Sequence, residues 1–290
     1  MLKKYILSTF AVVALGLVVS CDNTTSDPPN QNNTNPSDPA IVGPRILSKI
    51  NSKISATETR DLEEYITNAG ALSQAIIRDA ASSDAITATV TYSGSKISKI
   101  RYLDNKPTHV IDNTYNLTYT TGKLTMITMD QPVLGTAIIN HSDFEVVYDA
   151  NGKLYRIVEK KKLGGSTTYT HYVEYKFTFS ADNVARMDQT SMLMDGANPD
   201  TTTATTMGYA YSNYDDKVNP YNTLPKEYFI VTGTMFPINF NSISANNTGK
   251  MTIHAPAGPA ISVPKSYLYD SQNYPVSDQG QLTKYIYKVL

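Results

Sequence analysis

Few residues in this 290-residue chain are spaced for catalysis. The strongest candidates are Asp215 and Asp216, because two carboxylates can divide the work of general acid and base. Neighbours in an extended segment point to opposite faces, however. Followed by Lys217, Asn219 and Pro220, the two acids read as a loop, with calcium binding as the alternative. Asp149-Ala150-Asn151-Gly152 opens like a calcium loop but lacks the later acidic ligand, so it reads as a hairpin turn. His109, His141, His171 and His254 show no pair at metal-ligand spacing, and only His141 and His171 have a route to one shared face. The run Glu159-Lys160-Lys161-Lys162 reads as solvated lysines that discourage edge pairing, with an anion site as the alternative. No GxSxG, HExxH, P-loop or helix-opening GxGxxG is present. The expectation is a chain that is not an enzyme and carries no metal and no cofactor.

One residue announces chemistry of another kind. Lys3 and Lys4, an apolar run from Tyr5 to about Val19, and Ser20 before Cys21 have the layout of an export signal over residues 1–20. The apolar run is too short to span a bilayer comfortably. Val18-Val19-Ser20-Cys21 resembles a bacterial lipobox, in which a diacylglyceryl group joins the cysteine sulfur before the signal is cut away. Cys21, the only cysteine, is thus expected to be lipidated, and its acyl chains would hold the protein on a membrane. The same count excludes a disulfide framework and a cysteine-ligated zinc site within the chain.

From Asp22 to Pro44 the sequence is DNTTSDPPNQNNTNPSDPAIVGP, with five prolines and no Lys, Arg or aromatic residue. Such a segment cannot bury enough apolar surface to offset its ordering entropy. Residues 21–44 are expected to be a lipidated cysteine and a disordered tether, with an r.m.s. reach of about 25 to 30 Å. The remainder, 45–290, is expected to form one β-rich domain. The 25 basic and 26 acidic residues of the whole chain include no basic concentration of the kind that releases phosphate counterions, so a nucleic-acid partner is not expected.

Positioning elements follow from periodicity. Ile46 to Ile54 suits a first strand. Leu62, Ile66, Ala69, Leu72 and Ile76 recur at steps of three or four, which predicts a helix over about 58–80, with Gly70 weakening it. From about residue 85 a hairpin grammar takes over: Tyr92-SGSK-Ile97-SK-Ile100, Tyr119-TTGK-Leu124-TM-Ile127, Tyr148-DANGK-Leu154-YR-Ile157 and Phe179-SADN-Val184-AR-Met187. Each unit is an aromatic, a turn, and two apolar residues three apart. The aromatics recur at intervals of 27, 29 and 31 residues, which describes an antiparallel meander of repeated hairpins. The stretch from Gly196 to Thr206 departs from this layout and reads as an exposed loop. The fold class expected is mainly β, a curved or rolled half-barrel sheet with the N-terminal helix packed on it. The 21 tyrosines could form a stacking platform for sugars, but their attachment to the repeat and the absence of tryptophan favour a structural role.

Tyr148-Asp149-Ala150-Asn151-Gly152-Lys153-Leu154, Tyr214-Asp215-Asp216-Lys217-Val218-Asn219-Pro220-Tyr221 and Tyr267-Leu268-Tyr269-Asp270-Ser271-Gln272-Asn273-Tyr274-Pro275 resemble the hairpin signatures of uncharacterised Bacteroidota cell-envelope lipoproteins. More remotely, they are similar to the Tyr-Asp repeats of secreted toxins and adhesins. The resemblance implies a tyrosine-rich antiparallel sheet in the cell envelope, on the outer membrane, and supplies no catalytic residues. The leading expectation is a non-enzymatic, membrane-anchored lipoprotein that binds or scaffolds a glycan or protein partner. The alternatives are a lipid or lipoprotein carrier with an apolar cavity in a half-barrel and, third, an envelope hydrolase.

Overall fold

The computed structural model describes residues 44–106 and 110–290. The expected export signal, Cys21, the expected tether up to residue 43 and His109 lie outside the described residues.

The strands are β1 (Arg45–Lys53), β2 (Thr59–Asn68), β3 (Ala71–Arg78), β4 (Ala85–Ser93), β5 (Lys96–Asp104), β6 (Asp112–Thr120), β7 (Lys123–Pro132), β8 (Ile139–Tyr148) and β9 (Leu154–Lys162). They continue with β10 (His171–Ser180), β11 (Asn183–Asp195), β12 (Asn198–Tyr214), β13 (Thr248–His254), β14 (Ile261–Pro264), β15 (Tyr267–Tyr269), β16 (Pro275–Asp278) and β17 (Thr283–Val289). All belong to one 17-stranded antiparallel sheet. Neighbours in sequence pair from β1 through β14, while β1 also pairs with β17, which leads on to β16 and β15. Among the described residues no ladder joins β14 to β15, so strand pairing does not close the sheet. The two ends are nevertheless consecutive in the chain, separated by Lys265 and Ser266.

The hairpin grammar has a specific geometric cause. Strict alternation would send residues three apart to opposite faces, yet Ile97 and Ile100 are both buried, as are Leu124 and Ile127, Leu154 and Ile157, and Val184 and Met187. In each hairpin a β-bulge inserts one residue between them: Ser98, Thr125, Tyr155 and Ala185 have no partner across the ladder. Where the extra residue is Ser98 or Thr125, its hydroxyl donates to the carbonyl across the hairpin, of Thr91 at 3.2 Å and Thr118 at 3.5 Å. The bulge also shortens pairing between hairpins. The β5–β6, β7–β8 and β9–β10 ladders end at Lys99↔Asn116, Met126↔Glu145 and Arg156↔Lys176, so the hairpin tips stand apart. The aromatic of the next unit spans two such gaps, Tyr119 donating to the Ile97 carbonyl at 2.9 Å and Tyr214 to that of Val184 at 2.8 Å.

The same device corrects the helix expected over 58–80. That segment is the β2–β3 hairpin, which turns at Ala69 (φ 47°) and Gly70 (φ 81°), a pair of left-handed residues suited to a tight hairpin. Leu72 and Ala75 are three apart and both buried because Ser73 is bulged out, so a strand took on helical spacing. The loop expected at 196–206 is likewise largely strand. After the turn at Gly196, β12 pairs back on β11 through Leu193↔Asp200 and Ser191↔Thr205, with an irregular register between them.

The helix that the sheet covers comes from an insertion between β12 and β13. Residues 215–247 hold a 3₁₀ turn at Pro220–Thr223, α1 (Lys226–Met235) and a second 3₁₀ segment at Pro237–Ile243. Tyr228 through Gly233 are all buried, so α1 is enclosed on every side and not amphipathic. The Tyr228 ring meets Tyr65 of β2 at 6.3 Å and Tyr102 of β5 at 6.4 Å, while Phe240 meets Phe177 of β10 at 4.8 Å. Strands far apart in the ladder thus touch one insertion, which shows that the sheet is rolled around it. The inward residues Ala88, Val90, Ile100, Tyr102, Tyr175 and Phe177 are buried. Their outward neighbours Thr89, Thr91, Lys99, Arg101, Lys176 and Thr178 are exposed.

Candidate functional site

The insertion does not fill the roll completely. Beside the seam between β14 and β15 it leaves a cavity of about 60 Å³, lined by Asn219, Tyr221, Asn241, Lys265, Tyr267 and Tyr285 among others. This is room for a few ordered waters, and the lining offers them amide, hydroxyl and ammonium partners. Glu63 of β2 stands behind Tyr221, accepting from Tyr65 Oη at 2.5 Å and Tyr221 Oη at 3.3 Å. Burial raises the Glu63 carboxyl above its usual range, against the opposing pull of those two hydroxyls and of the Lys265 charge. Lys265 is exposed; the atoms crowded around it push its ammonium down, while Glu63 favours its charge. Burial also drives the hydroxyls of Tyr221, Tyr267 and Tyr285 upward, so they act as neutral donors. The chamber can hold water or a very small polar guest. Sequence reasoning missed it, because its residues come from four distant segments and no local motif links them.

The acids singled out from the sequence do different work. Asp215 accepts from the backbone N–H of Lys217 and of Asn247, each at 3.0 Å, and from the Tyr269 hydroxyl. It therefore clasps the two ends of the insertion. Asp216 is exposed and pairs with Lys217 at 3.1 Å. The pair reads as a loop, as expected. Asp149 organises the β8–β9 turn by accepting from the N–H of Asn151 and Lys153 at 2.9 and 2.8 Å, as the hairpin reading anticipates.

The charge run is not on an edge, since β9 is paired on both sides. Glu159 is 2 % exposed and faces inward, where Tyr175 Oη donates to it at 3.3 Å. Lys160 and Lys162 lie over the Tyr169 ring at 5.9 and 4.9 Å. His141 and His171 do not share a face: they stand opposite Lys162 and Lys161, adjacent residues of β9. His141 instead sits between Asp130 (2.7 Å) and Asp143 (3.2 Å), and Tyr169 Oη donates to Asp143 at 2.5 Å. Burial works against charge on His141, but the two carboxylates prevail and hold its pKa above the ordinary value. Burial likewise opposes the Asp143 charge, and Tyr169 and His141 outweigh it.

The tyrosines do not form an outer platform. Tyr65, Tyr102, Tyr115, Tyr175, Tyr211 and Tyr228 are buried, and among the described residues only Tyr155 is exposed, at 42 %.

No family model matches the chain, and no curated protein matches it. Solved structures do. A porin-like protein from Bacteroides vulgatus ATCC 8482 is 11 % identical, with a TM-score of 0.48 over 85 % of this chain and 100 % of that one. A porin-like protein from Bacteroides uniformis ATCC 8492 is 12 % identical, with a TM-score of 0.48 over 83 % of this chain and 98 % of that one.

Proposed function

We propose that the chain is a membrane-tethered, non-enzymatic envelope protein that binds or scaffolds a glycan or protein partner with the outside of its rolled sheet. The carrying observation is the polarity of strands such as β4, β5 and β10, where threonine, lysine and arginine face out while apolar and aromatic residues face an occupied interior. A barrel that spans a membrane needs the reverse, an apolar outer band around a polar lumen. The signal-like segment and Cys21 then supply the membrane attachment, and residues 22–44 the reach.

The lipid-carrier alternative finds less support, since the chamber of about 60 Å³ is polar and smaller than an acyl chain. The hydrolase alternative rested on Asp215, whose carboxylate is engaged in holding the insertion.

The test compares the full chain with Cys21→Ala in a bacterial envelope, following radiolabelled palmitate, membrane fractionation and captured partners. The expected result is label and membrane retention in the wild type, both lost in the variant, with a partner retained on the wild-type chain. Membrane retention of unlabelled Cys21→Ala, or ion conductance by the chain in planar bilayers, would overturn the proposal.

A further inference from the structure

The β8–β9 and β10–β11 hairpins both depart from the repeat, and a cleft opens between them. Between the β8–β9 and β10–β11 hairpin tips lies a groove of about 390 Å³, lined by residues that include Asn151, Lys153, Tyr155, Lys176, Thr178 and Phe179. That volume is within the usual range for small-ligand sites. Two departures from the repeat meet in it. The bulge position that carries Ser98 or Thr125 in the two preceding hairpins carries Tyr155 here, so a ring replaces a hydroxyl that would turn back onto its own hairpin. The position whose tyrosine reaches the neighbouring hairpin through Tyr119 carries Phe179, which has no hydroxyl to span the gap.

The lining is chemically mixed. Tyr155 is the exposed tyrosine noted above, with Lys176 Nζ 6.0 Å from its ring centre. The Asn151 side-chain amide and the Thr178 hydroxyl have no hydrogen-bond partner among the described residues, although both residues border the groove. Lys176 makes no ion pair within 4.0 Å among the described residues, whereas Lys153 is engaged by the Ala181 carbonyl and by Asp182 at 3.3 Å. An apolar guest would leave the amide, hydroxyl and ammonium unmet, and a small ion would make no use of the ring. A sugar ring presents an apolar C–H face to an aromatic and a belt of hydroxyls to donors and acceptors.

The geometry points to this cleft as a binding site for one saccharide ring, with Tyr155 as the stacking face and Asn151, Thr178 and Lys176 as the hydroxyl partners. The assignment rests on the reading of the chain as a binding module and names the ligand class and the place.

The test titrates the full chain, purified in detergent, with the methyl glycosides of glucose, galactose, N-acetylglucosamine and glucuronic acid, by saturation-transfer NMR and calorimetry. One of the four is expected to bind saturably. Tyr155→Ala, an exposed position, should weaken that binding about tenfold. Phe179→Tyr, which restores the bridging hydroxyl, should weaken it by a similar factor as the hairpin tips are drawn together, with the melting temperature retained. Failure of all four sugars to bind, or affinities unchanged in both variants, would overturn the site. Capture of an envelope partner that persists in both variants would overturn it too, while leaving the tethered-module proposal standing.

Discussion

The arc of hairpins from β2 to β11 and the insertion that it encloses are stabilised by opposite means. The arc repeats one local device, a turn followed by a bulge, and its register depends on residues only a few positions apart. The insertion has no repeat. It is held by individually placed contacts with strands that include β1, β2, β5, β10, β11 and β12, among them Tyr102 Oη with Thr232 Oγ1 at 2.7 Å and Tyr211 Oη to the Ile238 carbonyl at 2.9 Å. Damage to one hairpin should therefore stay local, whereas damage to the insertion should reach the whole roll.

The largest expected effect tests the insertion. Phe240 is fully buried, so Phe240→Ala should cost about 3 to 5 kcal/mol in urea unfolding. Gly233→Ala acts on the same contact from the other side, because a Cβ there would lie 2.4 Å from the Phe240 ring. Overpacking of this kind costs about 1 to 3 kcal/mol. Asp215→Ala removes the clasp and should cost about 2 kcal/mol, the scale for a charge-assisted bond left unmade. A hairpin lesion should be smaller: Ser98→Ala, which frees the Thr91 carbonyl, should cost about 0.5 to 1 kcal/mol. If Ser98→Ala and Phe240→Ala proved equally damaging, the contrast between the two regions would not hold.

Two smaller effects follow from titration. The Glu63 carboxyl is raised in the folded state, so the native protein binds its proton more tightly than the unfolded chain does. Wild-type stability should fall as pH rises upward from the ordinary value of 4.5, and Glu63→Gln should abolish that fall. Melting temperatures across mildly acidic to neutral pH would show a widening advantage for the variant. His141 is also raised, so its contribution is fully present below the ordinary 6.5 and lost as pH climbs through the raised value. His141→Gln should cost less than about 1 kcal/mol in acid and nothing at alkaline pH, since the cluster is partly solvated.

The contrast also explains what could be read from the sequence. The turn and bulge residues Gly94, Gly122 and Gly152 act within a few positions of themselves, so the hairpins from β4 to β11 were legible. The bulge that made them recognisable also disguised β2–β3, where Leu72 and Ala75 took on a helical step. The true helix, Lys226–Met235, escaped notice because KEYFIVTGTM is rich in β-branched and aromatic residues and is buried all round. Its signal was Pro225 followed by Glu227, a helix-start pair. The chamber was beyond reach, since only the completed roll brings Glu63 near Lys265. Cys21 stood out because the lipobox-like pattern that motivates its proposed lipidation lies in adjacent residues.

The pairing of β1 with β17 has a consequence for how the molecule is made. A chain that emerges N-terminus first presents β1 early, with only β2 able to pair with it, and one edge must wait until Thr283–Val289 arrive. Lengthy separation of partners slows folding and exposes unpaired edges to aggregation. One edge of β1 thus stays unpaired, and open to wrong partners, until β17 has emerged.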